Sequence, residues 1–155
     1  MTDTTPTESN LSGLDRKDFQ KNINSRKTDL YILKNAQGME VAVTNYGCAI
    51  LSIMVPDKNG KFANVILGHD SIEHVINSPE PFLSTTIGRY GNRIANGKFT
   101  LYGEEHQLTV NNGPNSLHGG PTGFHARVWD AVQPNESTVI FNYTSADGEE
   151  ASPVL

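Results

Sequence analysis

The sequence holds one cysteine, Cys48, so no internal disulfide can form and no cysteine-based zinc cluster can assemble. A lone thiol fits a reducing compartment, and no charged start followed by an apolar run marks the N-terminus. A cytoplasmic location is therefore expected; a periplasmic one would need an export signal missing from this chain. Basic residues are in deficit, with 12 Lys and Arg against 17 Asp and Glu, a formal charge of −5. That balance gives no basic footprint for nucleic acid and no charge attraction to an anionic membrane. Long apolar runs are missing as well. The uncharged stretch Val41–Pro56 is broken by Thr44, Asn45, Gly47 and Ser52 and falls short of the about 20 apolar residues that span a bilayer. Nucleotide signatures fail in detail. Gly91 and Gly97 enclose five residues where a P-loop has four, Phe99 stands where its Ser or Thr belongs, and no G-x-G-x-x-G occurs. The five histidines, His69, His74, His106, His118 and His125, form no i, i+4 pair, so no metal site is expected.

What is present reads as one domain of 155 residues with a modest apolar share of 36%. Residues 1–12 are Thr, Ser, Asp, Asn and Pro with almost nothing apolar, and are expected to form a disordered tail ahead of a domain over 13–155. From Asp29 onward the pattern is strand after strand: 30–33, 40–44, 50–55 and 62–67, then 97–101, 105–110, 128–132 and 138–143. Pro56-Asp57-Lys58-Asn59-Gly60 carries hairpin-turn chemistry. A turn or two of helix is expected over 71–76, capped by Asp70 or Ser71 and stopped by Pro79 and Pro81. The fold class is all-β, an antiparallel sandwich with little helix.

Two segments differ from scaffold. Gly88-Arg89-Tyr90-Gly91-Asn92-Arg93-Ile94-Ala95-Asn96-Gly97 packs two arginines and two asparagines among three glycines. Arginine presents five fixed donors and asparagine both donors and an acceptor, a set suited to a neutral ligand covered in hydroxyls. The competing reading pairs Arg89 and Arg93 with surface carboxylates. The second segment runs Asn111-Asn112-Gly113-Pro114-Asn115-Ser116-Leu117-His118-Gly119-Gly120-Pro121. It places one histidine in a polar glycine-rich loop, where imidazole can move a proton near neutrality. A lone histidine with a purely structural role is the alternative.

These two segments closely resemble the signatures of the aldose 1-epimerases (galactose mutarotases). Thr44-Asn45-Tyr46-Gly47, Val55 to Gly60, Val65-Ile66-Leu67-Gly68 and the opening Ser12-Gly13-Leu14-Asp15 agree in order and spacing, and the resemblance covers 14–150. It implies a β-sandwich of the galactose mutarotase type that interconverts the α and β anomers of a free hexose, without metal or organic cofactor. By motif, Asn92 and Arg93 would bind sugar hydroxyls, and His118 would hold the substrate and donate on the ring-oxygen side. The resemblance also implies a second histidine as the main general acid and a glutamate as the base, both beyond Leu155, so a truncated form with impaired activity is expected. After Asp147-Gly148-Glu149-Glu150 the ending Ala151-Ser152-Pro153-Val154-Leu155 departs from the family pattern, and His125 stands where an acidic residue is common. A non-catalytic carbohydrate-binding sandwich, an inactive fragment and a hexose-phosphate epimerase are the alternatives. The partner expected is a small hexose, not nucleic acid or membrane; the sequence does not fix an oligomeric state.

Overall fold

The computed structural model describes residues 10–153. A single 3₁₀ turn, Arg16–Phe19, opens on Asp15, whose carboxylate accepts from the Lys17 amide. Strands β1 (Asn22–Ile23) and β2 (Arg26–Lys27) form a minimal hairpin. Then follow β3 (Leu30–Lys34), β4 (Glu40–Thr44), β5 (Ile50–Pro56) and β6 (Phe62–Asn64), an antiparallel four-stranded sheet in sequence order. Side chains alternate across a strand. Leu30 and Ala42 thus share one face, and Leu51, the extra residue where the β4–β5 register shifts, joins them in the core cluster with Phe19, Ala49, Ile72 and Val75. The β5–β6 turn is organised by Asp57, whose Oδ1 accepts from the amides of Asn59 and Lys61, with Gly60 at φ +81°.

Helix α1 (Ile72–Ile76) lies over this core through Ile72 and Val75. Its cap is Ser71, whose hydroxyl accepts from the His74 amide; Asp70 instead meets the His74 ring at 2.5 Å. Beyond the helix come β7 (Arg93–Ile94), β8 (Lys98–Leu101), β9 (Glu104–Gln107) and β10 (Ser116–Leu117). The last pair is β11 (Asp130–Asn135) and β12 (Thr138–Asn142). Strands β8 and β9 form one hairpin, β11 and β12 another, and β7 pairs with β10 across the intervening chain. The β11–β12 hairpin is tied to the free edge of β3: the Lys34 amide donates to the Glu136 carbonyl, and Gln133 Nε2 to the Ile32 carbonyl. Among the described residues no helix is long and apolar enough to cross a membrane.

Several strands are displaced from their expected bounds. The regular β5–β6 ladder ends at Asn64, whose Oδ1 takes the Ile53 and Ile66 amides; the Val65 amide still donates to the Ile53 carbonyl at 3.1 Å, and Val65 and Leu67 stand exposed. Val128 and Trp129 do not open β11. They run beside 45–47 instead, with Val128 bridging Tyr46 and the Trp129 amide donating to the Asn45 carbonyl at 2.8 Å. Strand β9 ends at Gln107, after which the Leu108 amide donates to Gly97.

Two buried polar side chains brace the sheet. Asn45 accepts from the Asp29 amide at 2.8 Å and donates to the carbonyls of Lys27 and Trp129 at 3.1 and 2.9 Å, joining three segments. Glu40, fully buried, accepts from the Leu11 and Ser12 amides at 2.9 and 3.0 Å. Of the tail expected over 1–12, residues 1–9 lie outside the described residues, and Glu40 holds its last two.

Candidate functional site

The long loop between β9 and the 3₁₀ turn Phe124–Ala126 is ordered by its own asparagines. Asn112 and Asn115 exchange backbone bonds across Gly113-Pro114. Asn111 works as a substitute peptide, its Oδ1 accepting from the Leu117 amide at 2.7 Å and its Nδ2 donating to the Leu117 carbonyl at 2.9 Å. Asparagine does this readily because it carries both a carbonyl and an amine. The loop is thereby folded back so that β10 pairs with β7, Leu117 opposite Arg93 and Ser116 opposite Ile94. This pairing brings the two sequence segments into contact.

At the junction, Asn92 and His118 bond to each other twice. The His118 amide donates to the Asn92 carbonyl, and the Asn92 amide donates to His118 Nδ1, both at 3.1 Å. Both residues have positive φ, +55° and +53°. Asparagine and histidine are among the non-glycine residues that accept this region, and such conformations gather at functional sites. The bond to Nδ1 has a chemical consequence. A backbone N–H can only donate, so Nδ1 is the acceptor and the neutral ring carries its proton on Nε2. His118 is therefore a donor at Nε2 and is half-buried, while Asn92 and Arg93 are exposed.

Arg93 Nε donates to Asn112 Oδ1 at 2.8 Å. Among the described residues, neither its terminal nitrogens nor the Asn92 side-chain amide has a partner. Arg89 behaves otherwise: it donates to Ser145 Oγ and to the carbonyls of Ser145, Ala146 and Pro153. The reading that pairs both arginines with carboxylates is thus replaced. Arg89 is an internal clamp on 145–153, and Arg93 is steered by an asparagine.

Glycine is required where backbones meet behind the site. At Gly119 (φ +84°) a Cβ would fall on the Gly88 carbonyl, and at Gly88 it would enter the Phe124 ring. Phe124 is held edge-on by Trp129 and Tyr143, with centroids 5.5 and 5.7 Å away. Farther along, Glu149 accepts from Tyr143 and Ser145 and pairs with Arg127 at 2.9 Å. Its burial opposes ionisation, but these donors and Arg127 hold its carboxyl below the usual carboxylate range. Asn111, Asn112 and Phe82, which meets the His118 ring at 4.8 Å, were not expected as parts of the site. The two asparagines lie inside the second sequence segment; nothing in the sequence marks Phe82. Among the described residues no three His, Cys, Asp or Glu side chains could hold a metal ion together.

Fold and site define an all-β sandwich protein with an open, donor-rich site set on a glycine-rich loop. The family described as aldose 1-epimerase matches residues 29–154. The galactose mutarotase of Bos taurus is 41% identical over 74% of this chain and 33% of its own length. The aldose 1-epimerase of Escherichia coli K12 is 40% identical over 80% of this chain and 36% of its own. Among solved structures, an aldose epimerase homologue from C. elegans superposes with a TM-score of 0.76 at 31% identity, covering 81% of this chain and 38% of that one. A galactose 1-epimerase from Lactobacillus acidophilus gives 0.72 at 30%, with 84% and 38% covered. The chain belongs to the aldose 1-epimerase family, and it spans about a third of the length of these relatives.

Proposed function

We propose that this chain carries the hexose-binding part of an aldose 1-epimerase site, with Asn92 and Arg93 binding sugar hydroxyls and His118 donating toward the ring oxygen. Mutarotation breaks the bond between C1 and the ring oxygen. A proton must reach that oxygen while another leaves the C1 hydroxyl, so the reaction needs an acid and a base on the two sides of the sugar. The Nε2 proton of His118, fixed by the Asn92 amide on Nδ1, is the observation that carries this reading. Exposed Asn92 and Arg93 offer the donors and the acceptor that a neutral polyol needs.

General acid–base groups are each worth about 10²–10⁴ in rate, and hexose binding is the step that Asn92, Arg93 and His118 serve together. A titration with galactose or glucose, followed by amide NMR, should shift Asn92, Arg93 and His118 first. Shifts absent, or centred elsewhere in a folded chain, overturn the reading. Polarimetry of freshly dissolved α-glucose then separates a weak epimerase from a non-catalytic sugar-binding sandwich.

A further inference from the structure

Behind His118 lie two further rings. Phe82 meets the His118 ring edge-on at 4.8 Å and 63°, and it meets the His125 ring edge-on at 4.5 Å and 60°. His125 is 4% exposed, and its Nδ1 has no partner among the described residues. Burial first, then His118 and Arg127, lower the pKa of His125 against the opposing pull of Glu150, so this ring is neutral near pH 7.

Both flanks of this ring group are fixed to one turn. The Thr86 amide donates to the Gly47 carbonyl at 2.8 Å and the Ile50 amide to the Ser84 carbonyl at 2.9 Å, which secures the segment after Phe82. On the other flank a Cβ at Gly47 would fall on the His125 carbonyl, and the Gly47 amide donates to Arg127 at 2.7 Å. Phe82 thus touches both a rigid buried ring and the ring that carries the proton.

We propose that Phe82, backed by His125, is a positioning residue for His118, holding its imidazole in the rotation that keeps Nδ1 on the Asn92 amide and leaves the Nε2 proton free. The torsion about a histidine ring has a broad, two-fold preference. Swinging the ring out of its present plane would carry Nδ1 off the Asn92 amide. One hydrogen bond at a half-buried position holds that torsion weakly, and the Phe82 ring, with its centroid 4.8 Å away, narrows the arc through which the imidazole can swing. His125 serves here as an aromatic spacer. The use of the held proton rests on the hexose reading, but the hold itself is measurable without sugar.

The test is long-range proton–nitrogen correlation on the full chain with ¹⁵N-labelled histidine. In the wild type His118 should show one tautomer, with bare Nδ1 and protonated Nε2. Phe82→Ala should convert this to a mixture, Phe82→Tyr should restore the single form, and His125→Phe, which keeps a ring, should retain it. His74, exposed on the outer side of helix α1, is the internal control. Should Phe82→Ala fail to fold, Phe82→Leu takes its place with the same expectation. A single wild-type tautomer in a folded Phe82→Ala or Phe82→Leu chain overturns the proposal. Loss of the single tautomer with no hexose binding in the wild type leaves the positioning intact and removes the sugar-site reading.

Discussion

Replacing Asn45 by alanine removes three hydrogen bonds at once and leaves the Asp29 amide and the carbonyls of Lys27 and Trp129 without that partner. Each such bond contributes about 1 kcal/mol net, and a buried group left unpaired costs about 1–3 kcal/mol. The side chain is 3% exposed, so water cannot readily replace it. Taking the lower figure three times gives a loss of about 3 kcal/mol, a large part of the roughly 5–15 kcal/mol that holds a domain together. For a chain of this size that is a fall in Tm of about 6–12 °C. Trp129 is the only tryptophan, and its own carbonyl is one of the three partners, so its fluorescence in a urea titration reports the affected place. Asn45→Asp keeps the acceptor for Asp29 but sets a carboxylate against two carbonyls, and should destabilise at least as much as alanine. A loss under about 1 kcal/mol for Asn45→Ala, or an Asp variant as stable as the wild type, would refute the reasoning.

Glu40→Ala should release the Leu11 and Ser12 amides, seen as rapid hydrogen exchange at both, and cost about 2–6 kcal/mol, because two amides lose their buried acceptor at about 1–3 kcal/mol each. Gly119→Ala forces a Cβ onto the Gly88 carbonyl at a positive φ, so a loss of about 1–3 kcal/mol is expected together with loss of hexose binding; calorimetry of the variant checks both. The pH dependence follows from His125, whose folded pKa lies below the ordinary histidine value of 6.5 because burial disfavours its charged form. Below pH 6.5 the unfolded chain binds the proton first. The stability present above that pH is therefore lost as pH falls toward the folded value. Urea midpoints at pH 7.5 and 5.5 should fall further for the wild type than for His125→Phe; equal falls would contradict this.

The four-stranded sheet was legible because its signals are local: β-prone runs at 30–33, 40–44 and 50–55, with Asp57 and Gly60 at a turn that needs them. The two segments that hold Asn92, Arg93 and His118 stood out by composition, and the family resemblance picked these three residues out of them. Their meeting did not, since β7 and β10 are two residues each and show no periodicity. Pairing there depends on Asn111 imitating a peptide, which reads in sequence as one more loop asparagine. The early end of β6 has the same origin, a side-chain oxygen of Asn64 replacing backbone. Long-range bonds of Arg89 to 145–153 likewise leave no trace in local pattern, so its internal role emerged only in three dimensions.

The central claim is a hexose site at the junction of Asn92, Arg93 and His118, and saturation-transfer NMR of galactose and glucose with the purified chain tests it most directly. Transfer to the sugar protons should be seen with the wild type and lost in both Arg93→Ala and His118→Ala, with the variants still folded. No transfer from the folded wild type, or undiminished transfer in both variants, would contradict it.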